Sequence, residues 1–371
     1  MSSLNNFQPD YAPAPGALLL EHREANLLTQ NELAIRLDLD KKTVNQIENG
    51  HHPITTETAL KLETVMGLPA HIWSGLEARY REFEQRKKAL EAMRLESAWI
   101  NKIGYQALAK LGWVKNPSKP AEKSRRAGDT ANKVGALRQF FRVSTLDCLP
   151  KVWADTNAAY RKSEHYKSKE WLILSWLTQA GREADSIQCE SYDASKLKQS
   201  LESIKALSKL DFADAKPKLI QRCGQCGIAL VLLAAPVGVC VSGATRWLSK
   251  DRVLVQLSSR FKRHDQFWFS LFHELGHVLL HSKKTSFIDF YGQDGAKSEE
   301  ERQADDFAAK QLVSDKALEI VKNSKDFSAL AIQKQALDLG IAPGILVGRL
   351  QHEKYIGFNS PLNSLKKPIA F

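Results

Sequence analysis

Residues 273–277 read His-Glu-Leu-Gly-His, residue types and a spacing suited to metal-assisted hydrolysis. Four residues apart on a helix, His273 and His277 share one face, so their imidazoles can grip one metal ion, usually zinc. Glu274, one residue further round, is placed to take a proton from an attacking water. The helix that must carry them shows around the motif. From Asp265 to His281, Phe267, Trp268, Leu271, Phe272, Leu275, Val278 and Leu279 recur at helical spacing and describe one buried face. A plain core helix would account for the histidines but not for Glu274 beside them.

A catalytic zinc takes three protein ligands and leaves one position open. His281 is the next histidine, but it lies about 80° round the helix from His273 and two turns along it, too far to close a tetrahedron. Lys283 stands where a longer three-histidine motif puts its last ligand, and an ammonium cannot serve. The third ligand is therefore expected from another helix. Ser298 to Gln311 reads as that helix: Ser298 caps it, acidic residues fill its first turn, and Ala304, Phe307, Ala308 and Leu312 form its apolar face. Glu301 is the leading candidate, with Glu299 and Glu300 as alternatives. Ser298-x-x-Glu301 reads equally well as a capping box, and spacing alone does not choose. Asp305, one turn on, can accept a hydrogen bond from a ligating histidine and fix its ring. Charge developing on a substrate oxygen needs a further donor, for which Tyr291, His264 and Arg263 are candidates.

A second pattern occupies residues 16–68. Gly16 to Ala25 reads as a short helix. Thr29 caps a second, with Glu32 as its capping-box partner. Lys41 to Asn49 forms a third, stopped at Gly50, and Thr55 or Thr56 opens a fourth. Two short helices across a tight turn make a helix-turn-helix arrangement. Lys41, Lys42, Thr43, Asn45 and Gln46 then take the start and outer face of the recognition helix, with Val44 and Ile47 on its core side. Lysine and threonine suit phosphates, and Asn45 and Gln46 suit base edges. A four-helix bundle used only for protein contacts is the other reading. Charge opposes DNA here, since residues 1–70 are net −4, whereas residues 71–135 are net +7 and can supply the attraction.

These motifs resemble two known families. His-Glu-Leu-Gly-His, followed by Glu301-x-x-Ala304-Asp305-x-Phe307-Ala308, is similar to the ImmA/IrrE metallopeptidases. GATRWL at 243–248, QFWFSLFHELGH at 266–277 and GIAPGILVGRLQHE at 340–353 add to the likeness, which spans roughly residues 140–355. The resemblance implies a zinc-like metal held by His273, His277 and Glu301, with Glu274 as general base. TQNELAIRLDLDKKTVNQIENGHHPITTETALKL resembles Cro/C1-type helix-turn-helix domains. With Trp73 and Leu76 to Tyr80 it is most similar to HigA/VapI antitoxins, which implies a DNA-binding autoregulator.

The chain has 371 residues, a net charge of +11 and a pI near 9.3, room for two or three domains and a balance that suits a nucleic-acid partner. It has no run of about 18 apolar residues, and Met-Ser-Ser-Leu-Asn-Asn lacks a leader's charged start, so the expectation is a cytoplasmic protein without membrane contact. Five cysteines at irregular spacing argue against a disulfide framework. Cys223-Gly-Gln-Cys226 is a lone pair, expected in the turn from a helix into a strand.

The expected fold is mainly α with a small antiparallel sheet (α+β), an all-α helix-turn-helix domain preceding an HExxH zincin-like domain. Residues 1–75 form the DNA-binding domain, 76–130 a helical connector and basic linker, and 131–371 the peptidase-like domain with a metal core at about 225–355. Asn116 to Asp129, with two prolines, reads as the linker. Residues 133–213 read as helices with Trp153, Trp171 and Trp176 in the core and Arg161 and Lys162 exposed. IALVLLAAPV from residue 228 and VLVQLSS from residue 253 read as strands leading into the metal helix, with Val253 to Leu257 a candidate edge for substrate. The loop Lys283 to Lys297 is a candidate cleft wall, and residues 313–352 return to helix beneath the sheet.

The resemblance implies a transcriptional regulator with a zinc-dependent endopeptidase. It would bind operator DNA, its own promoter included, as a homodimer, and cleave a repressor or regulate a toxin–antitoxin or stress operon. The alternative is a non-proteolytic antitoxin or transcription factor whose metal domain binds a ligand or a toxin.

Overall fold

The computed structural model describes residues 11–115, 126–159, 169–258, 263–283, 285–290 and 298–369. Packing divides the chain into two compact units, Met1–Ser97 and Ala98–Phe371.

The N-terminal unit is all helix: α1 (Pro15–Ala25), α2 (Gln30–Leu37), α3 (Lys41–Glu48), α4 (Thr56–Met66) and α5 (Ala70–Leu95). Local chemistry sets these ends. Thr29 accepts from the Glu32 amide, and Glu32 accepts from the Thr29 amide, a complete capping box that starts α2. Asp38 turns left-handed (φ 52°) after α2, and the Asp40 carboxylate caps α3. Thr55 caps α4, and Gly50 takes φ 70° after α3. Leu19, Leu33, Leu37, Val44, Ile47, Leu62 and Trp73 form one core. Glu48, largely buried, accepts from Arg23 Nε and Gln30 Nε2, both at 2.6 Å, and so ties α1 and α2 to α3. α5 continues to Leu95, beyond the helical core, so the first compact unit reaches past residue 75.

The C-terminal unit opens with α6 (Ala98–Ile103), α7 (Tyr105–Lys110), α8 (Arg126–Phe141), α9 (Leu149–Ala159), α10 (Glu170–Ala184), α11 (Ala194–Ala206) and α12 (Phe212–Gln225). Most of the linker Asn116–Asp129, together with Arg161 and Lys162, lies outside the described residues. Trp171 and Trp176 are buried, and Trp153 is partly buried. Next come β1 (Ile228–Leu232), β2 (Val241–Ser249), β3 (Arg252–Leu257), α13 (His264–Leu280), β4 (Phe287–Phe290) and α14 (Glu299–Leu312). α15 (Asp315–Ser324), α16 (Ala329–Asp338) and α17 (Pro343–His352) complete the unit. Cys223 and Cys226 are buried at the end of α12, in the turn into β1.

The sheet order is β1-β3-β2-β4. It corrects two expectations. β1 runs parallel to β3, so the sheet is mixed rather than antiparallel. β3, with Val253 to Leu257, lies between β1 and β2 and offers no free edge. The β2–β3 hairpin docks its returning arm against β1, and a short strand apolar on both faces, as Ile228–Leu232 is, suits such a buried pairing. Alternation along the strands gives each face its own core. Ile228, Leu230, Val253, Val255 and Leu257 meet Phe267, Trp268, Leu271, Phe272 and Leu275 of α13. Ala229, Val231, Leu254, Val241 and Ala244 meet Ile173, Trp176, Leu177 and Ala180 of α10. The sheet is thus sandwiched between helices, and α13 is buried along most of its length.

A bulge in β2 sets up the site. The pairing with β4 shifts between Val241 and Gly243, so Val241 packs toward α10 while Gly243 and Thr245 face α13.

Candidate metal centre and nucleic-acid interface

His273, Glu274 and His277 sit in the second half of α13 and are almost wholly buried. α14 crosses α13 and brings Glu301 from its first turn. His273 Nε2 and His277 Nε2 are 3.0 Å apart. Glu301 Oε2 is 3.2 Å from His273 Nε2, and Glu301 Oε1 is 3.6 Å from His277 Nε2. These separations bracket the roughly 3.3 Å edge of a tetrahedron with 2.0–2.1 Å zinc–ligand bonds. Ser298 caps α14 by accepting from the Glu301 amide, so the main chain of Glu301 serves the cap while its side chain turns to the histidines. Glu299 pairs with Arg302 outside the cluster, at 2.5 Å.

The outer nitrogens decide what the inner ones can do. Asp305 Oδ1 lies 3.0 Å from His273 Nδ1. A carboxylate only accepts, so His273 donates from Nδ1, and Nε2 faces inward, where it donates to Glu301 or, once deprotonated, offers a lone pair. Two imidazole nitrogens and a carboxylate therefore converge in a buried space, where shared protons or a cation would satisfy them. The pKa shifts follow. Burial works against the charged form of His273, but hydrogen bonds to Asp305 and Glu301 outweigh it and hold its pKa well above the ordinary value. Burial likewise disfavours the Glu301 carboxylate, yet the imidazoles of His273 and His277, 3.2 and 3.6 Å away, hold it well below the usual range. His277 is pushed down, chiefly by burial. The cluster draws in positive charge.

Glu274 is fully buried, and burial pushes its carboxyl up to about 8 against the pull of His273 and Thr245. Its Oε2 accepts from the Thr245 hydroxyl at 2.5 Å, and its Oε1 has no hydrogen-bond partner. The carboxyl lies so close to Gly243 that a Cβ there would overlap Oε1.

Two family models match the chain: helix-turn-helix (HTH_3) over residues 19–73, and IrrE N-terminal-like domain (Peptidase_M78) over residues 239–334. The chain joins a helix-turn-helix domain to an IrrE N-terminal-like domain. Searches of curated proteins and of solved structures found no significant match. The IrrE N-terminal-like match contains β2, the bulge at Gly243, α13 with His273, Glu274 and His277, and α14 with Glu301.

Three residues of the IrrE N-terminal-like domain escaped sequence reasoning. Thr245 and Gly243 hold Glu274, and the only signal was the resemblance of GATRWL. Phe287 stacks on His277 from β4, within a segment read as loop; the strand forms because Phe287 faces the site while Ile288 packs on the opposite face. His281, set aside as a ligand, instead bonds His277. Of the oxyanion candidates, His264 and Arg263 do not reach the cluster. His264 is buried at the start of α13 and accepts from Trp268 Nε1 at 3.0 Å. It lies nine residues before His273, roughly 13 Å along the axis. Arg263 immediately precedes the same helix end and is exposed. Tyr291 and the rest of the loop to Lys297 lie outside the described residues.

In the helix-turn-helix domain, Lys41, Lys42 and Asn45 are exposed on α3, and Thr43 and Gln46 are half-buried. Thr43 donates to Asp40 Oδ2 at 2.7 Å, and Asn45 Oδ1 accepts from Asn49 at 2.5 Å. Val44 and Ile47 are buried on the opposite face. Among the described residues, no helix is long and apolar enough to cross a membrane.

Proposed function

We propose that this chain is a DNA-binding transcriptional regulator with a zinc-dependent endopeptidase domain, which cleaves a repressor or governs a toxin–antitoxin or stress operon. The observation that carries the reading is the convergence of His273 Nε2, His277 Nε2 and Glu301 in one buried space beside Glu274. Residues 1–75 read DNA, 131–371 hold the metal centre, and 76–130 connect them. The basic stretch after residue 70 offsets the acidic head at the phosphates. A homodimer places two recognition helices on paired half-sites in operator DNA.

His273, His277 and Glu301 would hold zinc, which would supply a Lewis acid for a peptide carbonyl and for water near neutral pH. A cation at this triangle would draw the Glu274 carboxyl down into its ionised form, which would take the proton and pass it to the leaving amine. Thr245 holds one carboxyl oxygen of Glu274, and Asp305 keeps the Nδ1 proton of His273 pointing away from the ion. The test is mass spectrometry of cellular proteins before and after addition of zinc-loaded protein, with Glu274→Gln as the control that keeps metal and loses cleavage. A gel shift on DNA upstream of the gene, at stated salt, tests the head.

The complete burial of Glu274 favours a second reading, a non-proteolytic antitoxin or transcription factor whose metal domain binds a ligand or a toxin. Zinc-loaded wild-type protein that cleaves nothing while shifting its promoter DNA supports that alternative.

A further inference from the structure

His281 closes α13 and sits outside the ligand triangle. Its Nδ1 is 2.9 Å from His277 Nδ1, and its Nε2 is 3.2 Å from Gln303 Oε1. Gln303 in turn donates from Nε2 to Glu299 Oε1 at 3.2 Å, and Arg302 holds Glu299 from the other side. The polarity of this chain follows from which atoms can donate. A carboxylate only accepts, so Gln303 presents its amide nitrogen to Glu299 and its oxygen to His281. An amide oxygen only accepts, so His281 donates from Nε2, and the neutral ring accepts at Nδ1. His277 must then carry its proton on Nδ1, which leaves its Nε2 lone pair facing His273 and Glu301.

We propose that His281 is a positioning residue for His277, holding the ring angle and the tautomer in which Nε2 ligates a metal, and that Gln303 sets the polarity of the bond. It does for His277 what Asp305 does for His273, with a neutral group in place of a carboxylate. Phe287 fixes both rings from one side, with centroids 3.9 Å from His277 and 5.2 Å from His281. The inference rests on the metal-centre reading. An outer hydrogen-bond partner of a ligating histidine is worth about 10–100-fold in metal affinity.

The test is zinc affinity of the full chain, measured by competition with a chromophoric chelator at fixed pH, alongside thermal unfolding of the metal-free forms. His281→Ala is expected to weaken zinc binding by about 10–100-fold. His281→Asn, whose Oδ1 can stand near the imidazole Nδ1 position, recovers part of the loss, and Gln303→Ala shows a smaller loss. Equal affinities for wild type, His281→Ala and Gln303→Ala overturn the proposal. So does a loss in His281→Ala that His281→Asn does not reduce, which assigns the effect to packing. If His281→Ala does not fold, the exposed Gln303→Ala decides, and an unchanged affinity there overturns the proposal. Wild-type protein that binds no zinc contradicts the metal-centre reading itself.

Discussion

Phe287 stacks on the imidazole of His277, with ring centroids 3.9 Å apart and planes 15° from parallel. The contact links the sheet to α13, since β4, which carries Phe287, pairs with β2. Phe287 is buried, so Phe287→Ala removes a large contact and leaves a cavity beside a ligand. The expected cost is about 3 kcal/mol of stability, together with weaker zinc binding. Phe287→Leu retains more of both. Denaturant unfolding and chelator competition measure the two effects separately.

Gly243 and Thr245 hold the carboxyl of Glu274 from one strand. Gly243→Ala places a methyl where Glu274 Oε1 lies and must displace it. Thr245→Val keeps the shape and removes the hydroxyl. Both are expected to lower turnover toward the 10²–10⁴-fold that a general base typically contributes, with Gly243→Ala the more severe. Zinc content stays at the wild-type level, because neither residue bonds a ligand. Cleavage rate normalised to bound zinc checks this.

His264 gives the C-terminal unit a defined pH response. Burial, helped by Lys367, pushes it down to about 4, while Asp265 and Asp211 pull the other way. A histidine whose folded pKa is depressed binds its proton in the unfolded state first. Its contribution to stability is therefore present above about 6.5 and lost as pH falls toward 4. The loss is about 3 kcal/mol at most. His264→Gln keeps an acceptor for Trp268 but does not titrate. Its urea midpoint is expected to fall less than that of the wild type between pH 7 and pH 4.5.

On the DNA side, Asn45→Ala and Gln46→Ala should each cost about 1–3 kcal/mol on the operator and relax sequence preference. Lys41→Ala or Lys42→Ala weakens binding to all sequences and reduces the salt slope by about one. Titrations at several salt concentrations on operator and unrelated DNA separate these outcomes.

Much of the helical framework was legible because its signals are local. The caps at Thr29, Thr55 and Ser298 and the apolar stripe of α13 each lie within a few residues of the end or face they define. Sheet order was not legible, because alternation says which face a residue takes and not which strand lies beside it. Hence Val253 to Leu257 read as an edge and proved interior. The bulge that turns Gly243 to the α13 side leaves no composition signal, so the cradle of Glu274 stayed hidden. His281 is instructive in another way. Helical geometry argues against its sharing an ion with His273, and the same four-residue spacing from His277 puts their outer nitrogens in contact.

The most direct measurement is anomalous diffraction at the zinc edge from crystals of the zinc-loaded chain. The account predicts one strong peak about 2.0–2.2 Å from His273 Nε2, His277 Nε2 and a Glu301 carboxylate oxygen. A peak held by other residues, or none at this cluster, would contradict it.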